Sequence, residues 1–172
     1  MSTEKPLVNR VKKSPLVTIN LETYYPDFPI VEFDLKDFLF KGLILKEKDF
    51  RAAIQDVNWA DYTGQVVCLY CSTDAIIPVW AYMLIGSHAA PYVLESYQGK
   101  KEQFLQSYFK QQIAAEDWSK HQDGLIVIKG CSDKEVPFSA YLDLTTALRP
   151  YVKSIMFGEA CSTVPVYKKK KS

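Results

Sequence analysis

The chain has 172 residues, a net charge of +1, 48% apolar and 24% charged residues, the balance of a soluble domain large enough to bury its own core. That charge supplies no global field for nucleic acid or an anionic membrane, and no apolar run approaches the roughly 20 residues that span a bilayer. The N-terminal stretch MSTEKPLVNRVKKS has no apolar segment of the signal-peptide kind. A cytoplasmic chain is therefore expected, with reduced thiols and no disulfide framework among its four cysteines.

Residues 1–15 read as a flexible tail, 16–167 as a single α/β domain and 168–172 as a basic tail. Leu16–Leu21 and Ile30–Leu35 alternate partly at period 2 and contain β-branched residues, which predicts two strands. The loop Tyr24-Tyr25-Pro26-Asp27 between them makes a hairpin-like, β-rich N-terminal extension the expectation. Leu43–Leu45 reads as a further short strand, and Lys46–Val57 as a helix with Phe50, Ile54 and Val57 on one face. Val66–Tyr70 is an uncharged run, as in a strand covered on both faces. A helix is expected from Pro78, a residue suited to the first helical position, to about Ala90. Pro91 stops it, and Tyr92–Tyr97 forms a strand. Lys101–Ala115 reads as a helix with Phe104, Leu105, Tyr108 and Phe109 inward, followed by a connector over Trp118–Asp123. A strand at Leu125–Lys129, a helix at Pro137–Leu148 stopped by Pro150, and a strand at Ser154–Phe157 complete the order.

The second half of this list rewrites the first. Pro78 and Pro137, Ala81 and Ala140, Tyr82 and Tyr141, and Gly99 and Gly158 each stand 59 residues apart, while Cys71 and Cys131 stand 60 apart. Two βαβ-type repeats, about 65–99 and 124–158, are the plain reading. Strands alternating with single helices imply parallel pairing and right-handed crossovers. The expected fold is a three-layer α/β domain with one mostly parallel sheet.

Cys71-Ser72-Thr73, Cys131-Ser132-Asp133 and Cys161-Ser162-Thr163 each follow an expected strand. In a parallel sheet those loops share the carboxyl edge, where ligands bind. Three soft thiolates there suit zinc or an iron–sulfur cluster and leave a ligand position open. Asp74 or Asp133 would complete the set, and the repeat register sets Glu102 opposite Cys161 as another carboxylate. Ser72, Thr73, Ser132, Ser162 and Thr163 offer hydroxyls and loop N–H groups to an anion, with loop hydrogen bonding as their ordinary use.

Competing uses are plain. Free cysteines often only pack, and the spacing matches no standard zinc or ferredoxin pattern. Cys68 and Cys71 are not read as a redox pair, because three residues of strand separate their Cα atoms by about 10 Å, beyond disulfide reach. Cys68 reads as core. His88 and His121 have no recognisable catalytic partner. The chain lacks Gly-x-Gly-x-x-Gly, a Walker lysine motif and a Gly-x-Ser-x-Gly elbow. Lys168–Lys171 reads as a solvated tail, and Tyr82 with Tyr141 and Val79 with Phe138 as matched core residues.

In CSTDAIIPVWAYML, IKGCSD and KSIMFGEACSTVPVYKK the chain resembles an uncharacterised bacterial family, domain of unknown function 2480. The resemblance covers most of the chain. It implies an association with iron–sulfur assembly genes, hence iron–sulfur assembly proteins as partners, and it carries over to the matched Cys71, Cys131 and Cys161. Three functions are in play: a metal- or cluster-binding protein, an enzyme using a thiolate or open-site metal at the same edge, and an interaction module whose cysteines are structural.

Overall fold

A computed structural model describes residues 16–130, 133–159 and 162–170. Its strands are β1 (Leu16–Ile19), β2 (Ile30–Asp34), β3 (Val66–Tyr70), β4 (Glu95–Gln98), β5 (Leu125–Lys129), β6 (Ser154–Glu159) and β7 (Ser162–Lys168). The α-helices are α1 (Glu47–Asp56), α2 (Val79–Ala89), α3 (Lys101–Ala115) and α4 (Phe138–Leu148). The fold is α/β with parallel-dominated sheets, as expected, but the strands divide between two sheets instead of sharing one. Their orders are β2-β3-β4 and β1-β5-β6-β7. The chain forms two compact units, one from Pro26 to Ser107, the other from the described residues up to Tyr25 together with those from Tyr108 onward.

The unit from Pro26 is built on β3, whose Val66, Val67, Cys68 and Leu69 are all buried. Both neighbours, β2 and β4, run parallel to it. Its core joins Phe33, Phe50, Ile54, Trp59, Val67, Leu69, Ala81 and Ile85. The Phe33 ring stacks on Trp59 at 5.6 Å and on Phe38 at 5.3 Å. Trp59 sits on a short 3-10 turn and donates its indole N–H to the Ile54 carbonyl at 3.2 Å, closing the end of α1. A buried Trp needs that partner for its polar atom.

In the other unit β5 occupies the corresponding place, parallel to β1 and β6. Trp118 donates to the Ile113 carbonyl at 2.8 Å and is likewise buried on a 3-10 turn, where a plain connector is the sequence expectation. Val66 and Leu125, Val79 and Phe138, and Glu95 and Ser154 open successive elements at a constant spacing of 59 residues.

Four local expectations are corrected. The first two strands form no hairpin: β1 pairs with β5 and β2 with β3, so each is taken up by a different sheet. Leu43–Leu45 is no strand but a turn closed by an isolated Phe40–Ile44 bridge, with Leu43 and Ile44 exposed. Ser162–Lys168 is an edge strand, β7, antiparallel to β6. Pro165 lacks an N–H, which an edge position with a register shift accommodates. Finally, Val79 and Phe138 are 76% and 93% exposed, so they are not core. Pro78 and Pro137 stand one residue before their helices, and the inward positions are Ala81, Ile85, Ala89 and Ala140, Leu144, Leu148. Residues two positions earlier face the opposite side of a 3.6-residue turn.

Gly158 carries a φ of +127°, and a Cβ there would lie 2.5 Å from the Ser162 carbonyl oxygen. Only glycine fits where β6 meets β7.

Candidate functional site

Cys71 follows the last residue of β3 directly, at the carboxyl edge of its sheet, and its thiol is half-buried and free. Its Sγ lies 3.2 Å from Thr73 Oγ1. The next residue is anchored from β2: Ser72 donates its N–H to Asp34 Oδ1 at 3.0 Å. Asp34 also caps the 3-10 turn that follows β2, accepting from the Lys36 N–H at 3.0 Å, and its other oxygen lies 3.4 Å from Lys36 Nζ. Burial opposes ionisation of Asp34, but the hydrogen bonds from Ser72 and Lys36 outweigh it and hold the carboxyl below its ordinary pKa. A carboxylate that accepts several N–H bonds behaves this way.

Tyr82, on the first turn of α2, closes the same edge. Burial raises its pKa, the neighbouring Cys71 raises it further, and a hydrogen bond with the Gln98 side chain pulls the other way. Cys71, Tyr82 and Gln98 thus share one corner of this unit, contributed by the ends of β3 and β4 and the start of α2.

Three residues earlier the thiol chemistry is different. Cys68 is fully buried, and burial, then the charges of Glu32 and Glu95, push its pKa up to about 11. It is a packing residue, as the sequence indicates, and it forms no disulfide with Cys71.

At the matching edge of the other unit the latch is Glu22. It accepts the N–H groups of Asp133 and of Lys134, the latter at 3.0 Å, and Lys129 Nζ lies 3.9 Å away. Tyr141 stands where Tyr82 does, but it meets the Phe157 ring edge-on at 5.7 Å where Tyr82 has Gln98. Where the first edge has the Gln98 amide beside Tyr82, the second has the Phe157 ring beside Tyr141.

Of the expected site residues, Ser72, Thr73 and Asp74 are exposed in the loop beside Cys71, and Asp133 is exposed in the loop held by Glu22. Glu102 lies on the first turn of α3, exposed. Ser162 and Thr163 belong to β7, opposite Glu159 and Gly158, and Thr163 Oγ1 lies 3.7 Å from Met156 Sδ. Cys131, Ser132 and Cys161 lie outside the described residues. Among the described residues no three His, Cys, Asp or Glu side chains gather as a metal-binding group, and no helix is long and apolar enough to cross a membrane. His121 stacks on Trp118 at 6.1 Å.

The residues that sequence reasoning missed are Asp34 and Glu22. The available signal was local, a carboxylate at the start of a 3-10 turn; their partners lie 38 and 111 residues away.

Residues 5–169 match the family model described as "Protein of unknown function (DUF2480)". No curated protein and no solved structure matches the chain.

Proposed function

We propose a function from the chain's own residues, since it belongs to the DUF2480 family, whose description assigns none: it binds a soft metal, as an iron–sulfur cluster or zinc, through cysteine thiolates, with Cys71, Cys131 and Cys161 as the candidates. The observation that carries the reading is the contrast between Cys71 and Cys68. One thiol is within reach of a ligand, at the end of a parallel strand and beside hydroxyl and phenol groups, while the other is sealed in the core. The Cys-Ser step at Cys71 recurs at Cys131 and Cys161, two residues beyond the ends of β5 and β6. Thiolate is the donor type that selects zinc and iron–sulfur clusters.

Asp74, Asp133 or Glu102 would supply an oxygen ligand beside the sulfurs, leaving the metal exchangeable. A cluster of that kind suits delivery to or receipt from iron–sulfur assembly proteins, the partners proposed for the chain. The bound group would supply Lewis acidity or electron transfer; Tyr82 and Gln98 would set the polarity around Cys71.

The test is an absorption spectrum of protein purified without oxygen, beside the Cys71→Ser variant. A charge-transfer band in the visible region that is weakened or shifted in the variant supports a cluster. Tight zinc that falls in the variant supports the zinc form. A metal-free, colourless protein whose far-ultraviolet spectrum matches the variant's overturns the proposal.

A further inference from the structure

The unit that contains β5 has a concave feature at the strand ends opposite those that lead into the loops after β5 and β6. A cavity of about 840 Å³ opens at the amino ends of β1, β5 and β6. That volume is in the range of sites for drug-sized molecules. Its floor is one face of the sheet: register aligns Leu16, Leu125, Ser154 and Lys168 in one row across four strands, and Met156 faces Pro165 in another. Around that floor stand Lys153, Lys168, Lys169 and Lys170, with Asp123 as the acidic member.

Lys153 and Lys169 are fixed to the rim by the backbone. The Lys169 N–H donates to the Lys153 carbonyl at 2.8 Å, extending the β6–β7 ladder past its last pair, and the Lys153 N–H donates to Gly124 at 2.9 Å. Asp123 takes a left-handed φ of +58° beside them. Its carboxylate is 4.0 Å from Lys153 Nζ, and both side chains are half or more exposed, so this pair neutralises little. Four ammonium groups against one carboxylate leave a positive rim above an apolar floor.

We propose that this cavity binds an anionic amphiphile: a small molecule with a phosphate or carboxylate head on the lysines and an aliphatic body on Leu16, Leu125, Met156 and Pro165. The floor favours an aliphatic body over a nucleobase, since Tyr167, the aromatic residue at the cavity, pairs with Ile155 outside the floor rows and already carries the Arg149 guanidinium 5.2 Å from its ring centre. In this proposal Lys168, Lys169 and Lys170 serve the ligand as its rim.

The experiment is a calorimetric titration of the full chain with dodecyl phosphate below its micelle concentration. Inorganic phosphate, ATP and phosphatidylglycerol vesicles are titrated in parallel. One-to-one binding of dodecyl phosphate is expected, weakened about 10-fold by the double change Lys153→Gln/Lys169→Gln and about as much by high salt. Met156→Gln, nearly equal in size, weakens it several-fold by wetting the floor while leaving phosphate alone a poor ligand. The proposal is overturned by absence of dodecyl phosphate binding, or by binding indifferent to both variants. ATP or inorganic phosphate binding as tightly removes the role of the floor and overturns it too. Binding to vesicles but not to the monomeric amphiphile assigns the lysines to a membrane surface instead, and also overturns it.

Discussion

Asp34 works as a latch because one carboxylate answers two N–H groups and an ammonium, on its own turn and on the loop after β3. Asp34→Ala removes a cap and frees Ser72, which is expected to cost about 1 kcal/mol at neutral pH. The native pKa is depressed, so this stabilisation is complete above the unfolded value of about 3.9 and is lost as pH falls through the lower native value. Urea unfolding of the two proteins checks it: the gap in stability closes in acid, and a gap that widened there would refute the latch. The two thiols on β3 make a companion prediction. Iodoacetamide is expected to label Cys71 in the folded, metal-free protein and Cys68 only after denaturation, because Cys68 is fully buried and its pKa is raised to about 11. Mass spectrometry of the labelled peptide reads this directly, and native labelling at Cys68 would contradict it.

Among the elements, α2 and α4 show how rotation about a helix axis decides what a residue does. Ile85 and Leu144 are fully buried, while Val79, Met83, Phe138 and Leu142 face outward. Ile85→Ala is expected to cost about 2–5 kcal/mol, and Val79→Ser or Phe138→Ser no more than about 0.5 kcal/mol. Chemical denaturation separates the two classes, and a Phe138→Ser cost equal to that of Ile85→Ala would show the face to be packed. The existence of both helices was legible in their flanking prolines and apolar content. Their phase was not, because these helices are apolar nearly all round and their outward faces carry Val, Met, Phe and Leu, so periodicity does not mark the inside. β7 was hidden for a different reason: Pro165 argues against a strand unless the strand is an edge.

At the scale of the whole molecule, the strands other than β7 were legible one by one but their partners were not. Leu16 pairs beside Leu125 and Ile30 beside Val66, and nothing local in LVTI or IVEFD says which uncharged strand each will join. Two consecutive alternating segments look like a hairpin until each is seen to serve a different sheet. The candidate site divides in the same way. Cys71 could be read from residue type and its place after a strand, whereas Asp34, Glu22 and the Tyr82–Gln98 pair depend on chain segments brought together only by the fold. The proposed lysine rim is not legible in the run of lysines itself, because its floor comes from β1, β5 and β6 together.

Cysteine thiolates of this chain are proposed to hold a soft metal. The most direct measurement is the iron, acid-labile sulfide and zinc content per chain of protein purified without oxygen, beside a Cys71→Ala/Cys131→Ala/Cys161→Ala variant with an unchanged circular dichroism spectrum. Stoichiometric iron with sulfide, or stoichiometric zinc, absent from the variant is the predicted result. Metal content that is negligible in the native protein, or equal in the two, would contradict the claim and leave Cys71 as a reachable thiol without a metal to hold.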